Sequence, residues 1–188
     1  TENELAPLSN MPREYVNYGE VIPAKRLVLA NAVERMKQRK GNGLTAAYEQ
    51  FLHENAADWL DDYALFRVLK TLHGERAWPE WDKPFVHKEA SALQKIRNEH
   101  AASIESIRIS QFLFRQQWSD LKQYANERGI QFFGDMPIYI ALDSSDAWVH
   151  GELLQIDRDG IPKSVAGVPP DYFSEDGQLW GNPLYDWD

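Results

Sequence analysis

The strongest constraint on the fold is a change of period at Gly129. Before it, apolar residues recur at intervals of three and four, the spacing of one helical face. Directly after it comes Ile130-Gln131-Phe132-Phe133-Gly134-Asp135-Met136-Pro137-Ile138-Tyr139-Ile140, a short apolar run of the kind buried in a parallel sheet. A long amphipathic helix feeding such a run is an α-then-β unit, so the pattern predicts an α/β fold.

The helical part divides at its own punctuation. Val21 to Arg39 carries Ile22, Leu29, Val33 and Met36 on one face, with Pro23 in the first turn and Gly41 past a basic end. Thr45 is placed to cap a second helix bearing Tyr48, Phe51 and Leu52. A third, from about Ala56 to Leu72 and closed by Gly74, presents Trp59, Tyr63, Phe66 and Leu69 as a buried stripe. Its acids Asp58, Asp61 and Asp62 lie in the first turns, where they favour the helix dipole. Two prolines make the Trp78 to Pro84 segment a rigid loop, and helix resumes near Lys88. A long helix from about Ser103 to Glu127 sets Ile104, Ile107, Phe114, Trp118, Leu121 and Ala125 on one side. Trp59 and Trp118 are thus expected in helical core stripes. Further on, Leu153 to Ile156 and Ile161 to Val165 flank Asp157-Arg158-Asp159-Gly160, where Asp-Gly predicts a hairpin. Gly167 to Asp188 reads as loop. The predicted organisation is an irregular lead-in over 1–20, a mainly helical subdomain over 21–129, and a strand, hairpin and loop segment over 130–188.

Composition removes several functions. With 20 Lys+Arg against 29 Asp+Glu, a net charge of -9, the chain has no broad cationic field for phosphate backbones, so nucleic acid is not an expected partner. No cysteine is present, which excludes disulfides, thiolate metal sites and a Cys nucleophile. No apolar run approaches the roughly 20 residues of a membrane helix, and Thr1 to Pro7 lacks the regions of a signal peptide. A soluble cytoplasmic protein with no membrane partner is expected. The start at Thr1 and the aromatic stop at Tyr185-Asp186-Trp187-Asp188 predict a piece of something longer. The five histidines show no metal-ligand spacing, so no metal is expected. Gly41-Asn42-Gly43 lacks the rest of a phosphate loop and reads as a helix connection, and Asp157 to Gly160 lacks the further ligands of a calcium loop. No Gly-x-Ser-x-Gly elbow occurs.

Two features carry chemistry. Asp135 follows the apolar run and Gly134 and precedes Pro137, at what would be the end of a parallel strand, where α/β barrels collect functional side chains. An Asp there serves either a ligand or the backbone of its own loop, and the sequence leaves both open. Between Gly167 and Asp188 stand Tyr172, Phe173, Trp180, Tyr185 and Trp187, mixed with Asp171, Gln178 and Asn182 and stiffened by Pro169, Pro170 and Pro183. Such loops suit sugars, whose C–H face stacks on a ring while the hydroxyl rim needs directional partners. An ordinary loop core has the same composition.

Four blocks go further. Phe133-Gly134-Asp135-Met136-Pro137-Ile138-Tyr139-Ile140-Ala141, Asp143-Ser144-Ser145-Asp146-Ala147-Trp148, Val165-Ala166-Gly167-Val168-Pro169-Pro170-Asp171-Tyr172-Phe173-Ser174 and Gly177-Gln178-Leu179-Trp180-Gly181-Asn182-Pro183-Leu184-Tyr185 closely resemble the 4-alpha-glucanotransferases. These are the amylomaltases or disproportionating enzymes, glycoside hydrolase family seventy-seven. Trp59-Leu60-Asp61-Asp62-Tyr63-Ala64-Leu65-Phe66 and Phe112-Leu113-Phe114-Arg115-Gln116-Gln117-Trp118 resemble the family's helical region, so the likeness runs from about residue 20 to the end.

The resemblance implies a fragment of a (β/α)8 TIM barrel with a large, mainly α-helical insertion subdomain, in a cytoplasmic enzyme that needs no organic cofactor. It implies transfer of α-1,4-glucan segments between maltodextrins by retaining double displacement. The family's nucleophilic Asp lies in an Arg-Ile-Asp-His motif, its acid/base Glu in Ala-Glu-Asp-Leu-Gly and its transition-state-binding Asp in His-Asp, and none of the three occurs here. They are expected downstream of Trp187, with the early barrel strand and its Ser-Pro-Tyr loop expected before Thr1. No catalytic residue is therefore assigned in this chain, and the isolated chain is expected to be inactive. What carries over is substrate binding. Asp135 corresponds to the acid of a strand-end block that helps hold the glycosyl unit. Pro169 to Ser174, with Asp171, Tyr172 and Phe173, resembles the loop that lids the family's site. Trp180 and Asn182 line the groove. Tyr63 falls either near an outer glucan contact or in the core. The alternative is a stand-alone helical carbohydrate-binding or structural module. A lone barrel strand would expose unpaired edges, so 130–141 is expected to self-associate or to lie against the helices.

Overall fold

A computed structural model describes residues 2–38 and 43–187. Among them the order is α1 (Glu2–Ser9), α2 (Tyr18–Gln38), α3 (Gly43–Asn55), α4 (Asp61–Leu72), α5 (Lys83–Val86), α6 (Ala90–Glu99), α7 (Ala101–Asn126), α8 (Ser145–Val149), β1 (Val165–Val168) and β2 (Gln178–Pro183). A five-residue π turn, Ala56–Leu60, joins α3 to α4. Helices stand where the apolar periodicity puts them, and Gly74 and Gly129 end α4 and α7 at φ of 65° and 72°. At both ends an N–H reaches back five residues, Glu75 to Lys70 and Ile130 to Ala125, as in a Schellman cap. Thr45 lies inside the first turn of α3 rather than at its cap, because the helix already begins at Gly43. The expected helix end at Arg39 and Gly41, and most of the Gly41-Asn42-Gly43 connection, lie outside the described residues. The lead-in is not wholly irregular: α1 forms and packs on α2, where the Glu4 carboxylate accepts from Asn31 and pairs with Arg35.

Two apolar clusters make the core. One joins Val33, Tyr48, Phe51 and Leu60 to Ile109 and Phe112. The other gathers Leu65, Phe66 and Leu69 of α4, Leu93 and Ile96 of α6, and Ile104 around Trp78, Trp81 and Trp148. Each of these indoles donates to a backbone carbonyl: Trp78 to Leu142 at 2.6 Å, Trp81 to Arg76 at 3.1 Å and Trp148 to Phe85 at 2.9 Å. That satisfies the one polar atom of an otherwise apolar ring. The rigid loop at Trp78 to Pro84 thus supplies core, as a 3-10 turn followed by α5.

The expected core positions of Trp59 and Trp118 are corrected, since both remain more than a third exposed, at 38% and 39%. Leu60, Ala64 and Val68, at four-residue spacing, take the buried face, and Trp59 and Tyr63, each one position earlier, form its less buried flank. The C-terminal half of α7 runs past the helices that cover its first half, leaving Phe114, Trp118 and Leu121 exposed.

The expected buried strand at Ile130 to Ile140 is also corrected. This segment is irregular and largely exposed, with Phe133 wholly open to solvent and Met136 mostly so. Among the described residues no strand lies beside it, and a parallel strand cannot hold its N–H and C=O groups without neighbours. It does lie against the helices at one point, where Phe132 meets Trp118 at 5.0 Å. The stretch from Gly167 onward, expected to be loop, holds the end of β1 and all of β2, which form the one antiparallel sheet of the described residues, paired through Gly167↔Leu179 and Val168↔Gln178. The expected hairpin at Asp157 to Gly160 is present as a turn with a single bridge, Ile156↔Pro162.

Two polar ties hold these later segments to the helices. Lys70, 6% exposed, directs its ammonium to the carbonyls of Glu75 and Arg76 and to Asp143 Oδ2 at 2.6 Å. Asp143 Oδ1 accepts from the Trp78 N–H at 3.3 Å. The Asp157 to Gly160 turn is held by Asp159, which accepts from Lys83 at 2.6 Å and His87 at 2.9 Å. Gly160, at φ 80°, lets the turn lie on Trp78, since a Cβ there would stand 2.2 Å from the indole.

Replacing Lys70 by Met removes all three contacts while keeping most of the side-chain volume. The expected loss is about 3 kcal/mol, read as a lower urea midpoint. Lys83 and then His87 hold the Asp159 carboxyl at about 2, below its ordinary 3.8. A depressed acid stabilises the fold above its ordinary value and loses that contribution as pH falls through the folded value. The stability gap between the native chain and Asp159→Asn is therefore expected to be constant near neutrality and to close between about pH 4 and pH 2, as followed by urea unfolding at each pH.

Candidate functional site

The site expected from sequence centres on the hairpin formed by β1 and β2. Its tip is built by Asp171, whose Oδ1 accepts from the Phe173 and Ser174 N–H groups, both at 2.9 Å, while its own N–H donates to Ser174 O at 3.0 Å. Ser174 Oγ donates to Gly177 O at 2.6 Å. Gly177 closes the tip at φ 75°, where a Cβ would sit 2.5 Å from Val168 O. An Asx turn of this kind fixes a short loop without a core beneath it. It leaves Tyr172 and Phe173 exposed at 89% and 76%, their ring centroids 3.9 Å apart. Pro169 stands exposed where the tip begins.

Trp180 and Asn182 lie on β2. The Trp180 indole donates to Gln178 Oε1 at 3.0 Å, and its half-exposed ring meets Tyr139 edge-on at 6.1 Å. Asn182 Nδ2 donates to Ile140 O at 2.9 Å, tying β2 to the end of the 130–141 segment. Tyr139 stacks on Tyr185 at 6.3 Å, and Tyr185 meets Trp187 at 5.5 Å. The structure thus brings Trp180 and Asn182 together with Tyr139, and sets Pro169, Asp171, Tyr172 and Phe173 at the hairpin tip. Asp135 joins neither group. It is exposed in irregular backbone and its carboxylate has no hydrogen bond or ion pair among the described residues.

Tyr139 is not among the expected site residues, although it shares a block with Asp135. The signal for it was its place at the end of an apolar run, read there as strand. The arrangement as a whole offers exposed rings on a backbone fixed by hydrogen bonds, with the Asp171 carboxylate and the Gln178 and Asn182 amides on the same hairpin. It can grip the apolar face and hydroxyl rim of a sugar.

The 4-alpha-glucanotransferase family matches the chain over residues 1–188, and the chain belongs to that family. It is 42% identical to the 4-alpha-glucanotransferase of Thermus thermophilus over 177 residues, covering 94% of this chain and 35% of that protein. It is 40% identical to the chloroplastic/amyloplastic 4-alpha-glucanotransferase of Oryza sativa, covering 99% of this chain and 31% of the relative. Among solved structures it superposes on an amylomaltase from Streptococcus agalactiae in complex with acarbose, with a TM-score of 0.85 at 41% identity, over 92% of this chain and 34% of that one. The chain spans about a third of the length of these relatives. Among the described residues no helix is long and apolar enough to cross a membrane.

The Asx turn makes a prediction of its own. Asp171→Ala removes the acceptor for two tip amides, so exchange of the Phe173 and Ser174 N–H groups is expected to approach that of open chain. Helix amides should keep their protection when the native chain and the variant are compared by hydrogen exchange.

Proposed function

We propose that this chain is part of a 4-alpha-glucanotransferase that moves α-1,4-glucan segments between maltodextrins, and that it supplies one side of the glucan groove. In this reading 21–129 is a helical insertion and 130–188 belongs to a TIM barrel whose other strands lie elsewhere in the parent protein. The observation that carries the reading is the hairpin: Tyr172 and Phe173 are presented at a fixed tip, with Trp180 and Asn182 behind them, in a chain of this family.

The chemistry follows from what transfer requires. In a retaining double displacement one carboxylate attacks the anomeric carbon and a carboxylic acid protonates the leaving oxygen. A second sugar then takes the place of water in the return step. This chain's contribution is to binding and to exclusion of water. Tyr172 and Phe173 shield the glycosyl unit, Trp180 stacks on a glucose face, and Asn182 and Asp171 border the groove. Asp135 meets sugar hydroxyls once its segment is ordered as a strand by neighbouring strands. The exposed 130–141 segment also supports self-association of the isolated chain.

Two measurements test the reading. The isolated chain, given maltotriose, is expected to release no glucose and to build no longer maltodextrin. In the complete parent enzyme, Trp180→Ala is expected to lower kcat/KM for disproportionation at least tenfold, the equivalent of about 1.4 kcal/mol. Unchanged transfer by that variant would assign the hairpin to packing alone.

A further inference from the structure

Trp180 stands on β2 without a core beneath it, so something other than burial must fix its ring. The strand is exposed from Gln178 to Gly181, and Gly181, at φ 80°, takes the backbone out of extended geometry directly after Trp180. Two side chains meet the indole. Gln178 Oε1 accepts from its Nε1–H at 3.0 Å, and the Tyr139 ring meets it edge-on, with centroids 6.1 Å apart and planes at 69°. Edge-to-face pairs at such separations are attractive and directional. Gln178 belongs to the same exposed strand, whereas Tyr139 comes from a distant part of the chain.

Tyr139 is itself anchored. It is half-buried, and its ring stacks on Tyr185 with centroids 6.3 Å apart and planes at 16°. The backbone beside it is held where Ile140 O accepts from Asn182 Nδ2 at 2.9 Å. Tyr185 pairs with the buried Leu154 in an isolated bridge, and the Gln155 N–H donates to Leu184 O at 2.8 Å. A line of contacts therefore runs from Leu154 through Tyr185 and Tyr139 to Trp180. The Tyr139 hydroxyl has no hydrogen-bond partner among the described residues, and the contacts are made by its ring.

We propose that Tyr139 is a positioning residue: its ring edge holds the Trp180 indole at the angle at which it stacks on a glucose unit, and Tyr139 itself touches no sugar. The assignment of Trp180 to sugar stacking rests on the function proposed above. A ring held in place before the ligand arrives loses less freedom on binding, so the support is felt as affinity.

The test is a double-mutant cycle in the complete parent enzyme, read as disproportionation of maltotriose. Tyr139→Leu, which keeps an apolar side chain and removes the ring, is expected to lower kcat/KM about fivefold, mainly by raising KM. Tyr139→Phe is expected to recover it, because the ring edge remains. In combination with Trp180→Ala, Tyr139→Leu is expected to add no further loss, since the group it acts through is gone. Additive losses would overturn the inference by giving Tyr139 a role apart from Trp180. A Phe variant as impaired as the Leu variant would overturn it too, by assigning the effect to the hydroxyl. A folding defect is separated in the 188-residue chain, where NMR is expected to show nuclear Overhauser contacts between the Tyr139 and Trp180 rings; their absence would overturn the inference whatever the kinetics. Unchanged transfer by Trp180→Ala defeats the hairpin reading and this inference together. A loss with Trp180→Ala but none with Tyr139→Leu defeats this inference alone.

Discussion

The fold after α7 hangs on the buried ammonium of Lys70. At the end of α4 it satisfies two carbonyls of the chain that has just left the helix, and reaches Asp143 seventy-three positions along the sequence. An ammonium out of water is tolerated only when fully paired, so the three acceptors must be in place together. Asp143 in turn accepts from the Trp78 N–H, and the Trp78 indole donates to Leu142 O. The segment preceding α8 is thus fixed by polar groups at one point. Trp148 of α8 adds apolar packing against Phe66 and Trp81.

Once α8 is fixed, the rest of the chain has a foundation. Asp159 ties the next turn to Lys83 and His87 on α5 and just after it, and Gly160 allows that turn to rest on Trp78. The paired strands then return past Gln155 and Leu153, whose backbones bond to Leu184 and Asp186. The hairpin tip is therefore positioned by a sequence of small contacts rather than by a core of its own. That arrangement leaves its aromatic rings exposed. The division among the seven tryptophans follows the same logic. Trp78, Trp81 and Trp148 build the base, whereas Trp59, Trp118, Trp180 and Trp187 remain open to solvent.

Much of this was legible in the residues. The helices could be placed because a 3.6-residue period is a local property, and their ends because Gly74 and Gly129 adopt left-handed backbone that other residues resist. The membership in a glucanotransferase family was legible in the ordered blocks between Phe133 and Tyr185. The burial of particular rings was not legible. Trp59 lies on the predicted stripe, but the face that the other helices cover is the one through Leu60, Ala64 and Val68, and a local period does not say which flank is covered. Trp118 is on an apolar face whose cover ends before reaching it. The pairing of β1 with β2 was hidden because both strands are short and contain Gly or Pro, which signal loops.

The amino-acid sequence by itself determined the helical period, the absence of thiol chemistry, the acidic balance and the block pattern of the family, since these depend on residue identity and near neighbours. Tertiary structure alone decided which aromatic rings are core and which are offered to solvent, because burial depends on what arrives from distant parts of the chain. The 130–140 run makes the point most directly. Its residues are those of a buried strand, yet strand geometry is a property of a pair, and without neighbouring strands its backbone stays irregular and its rings stay exposed.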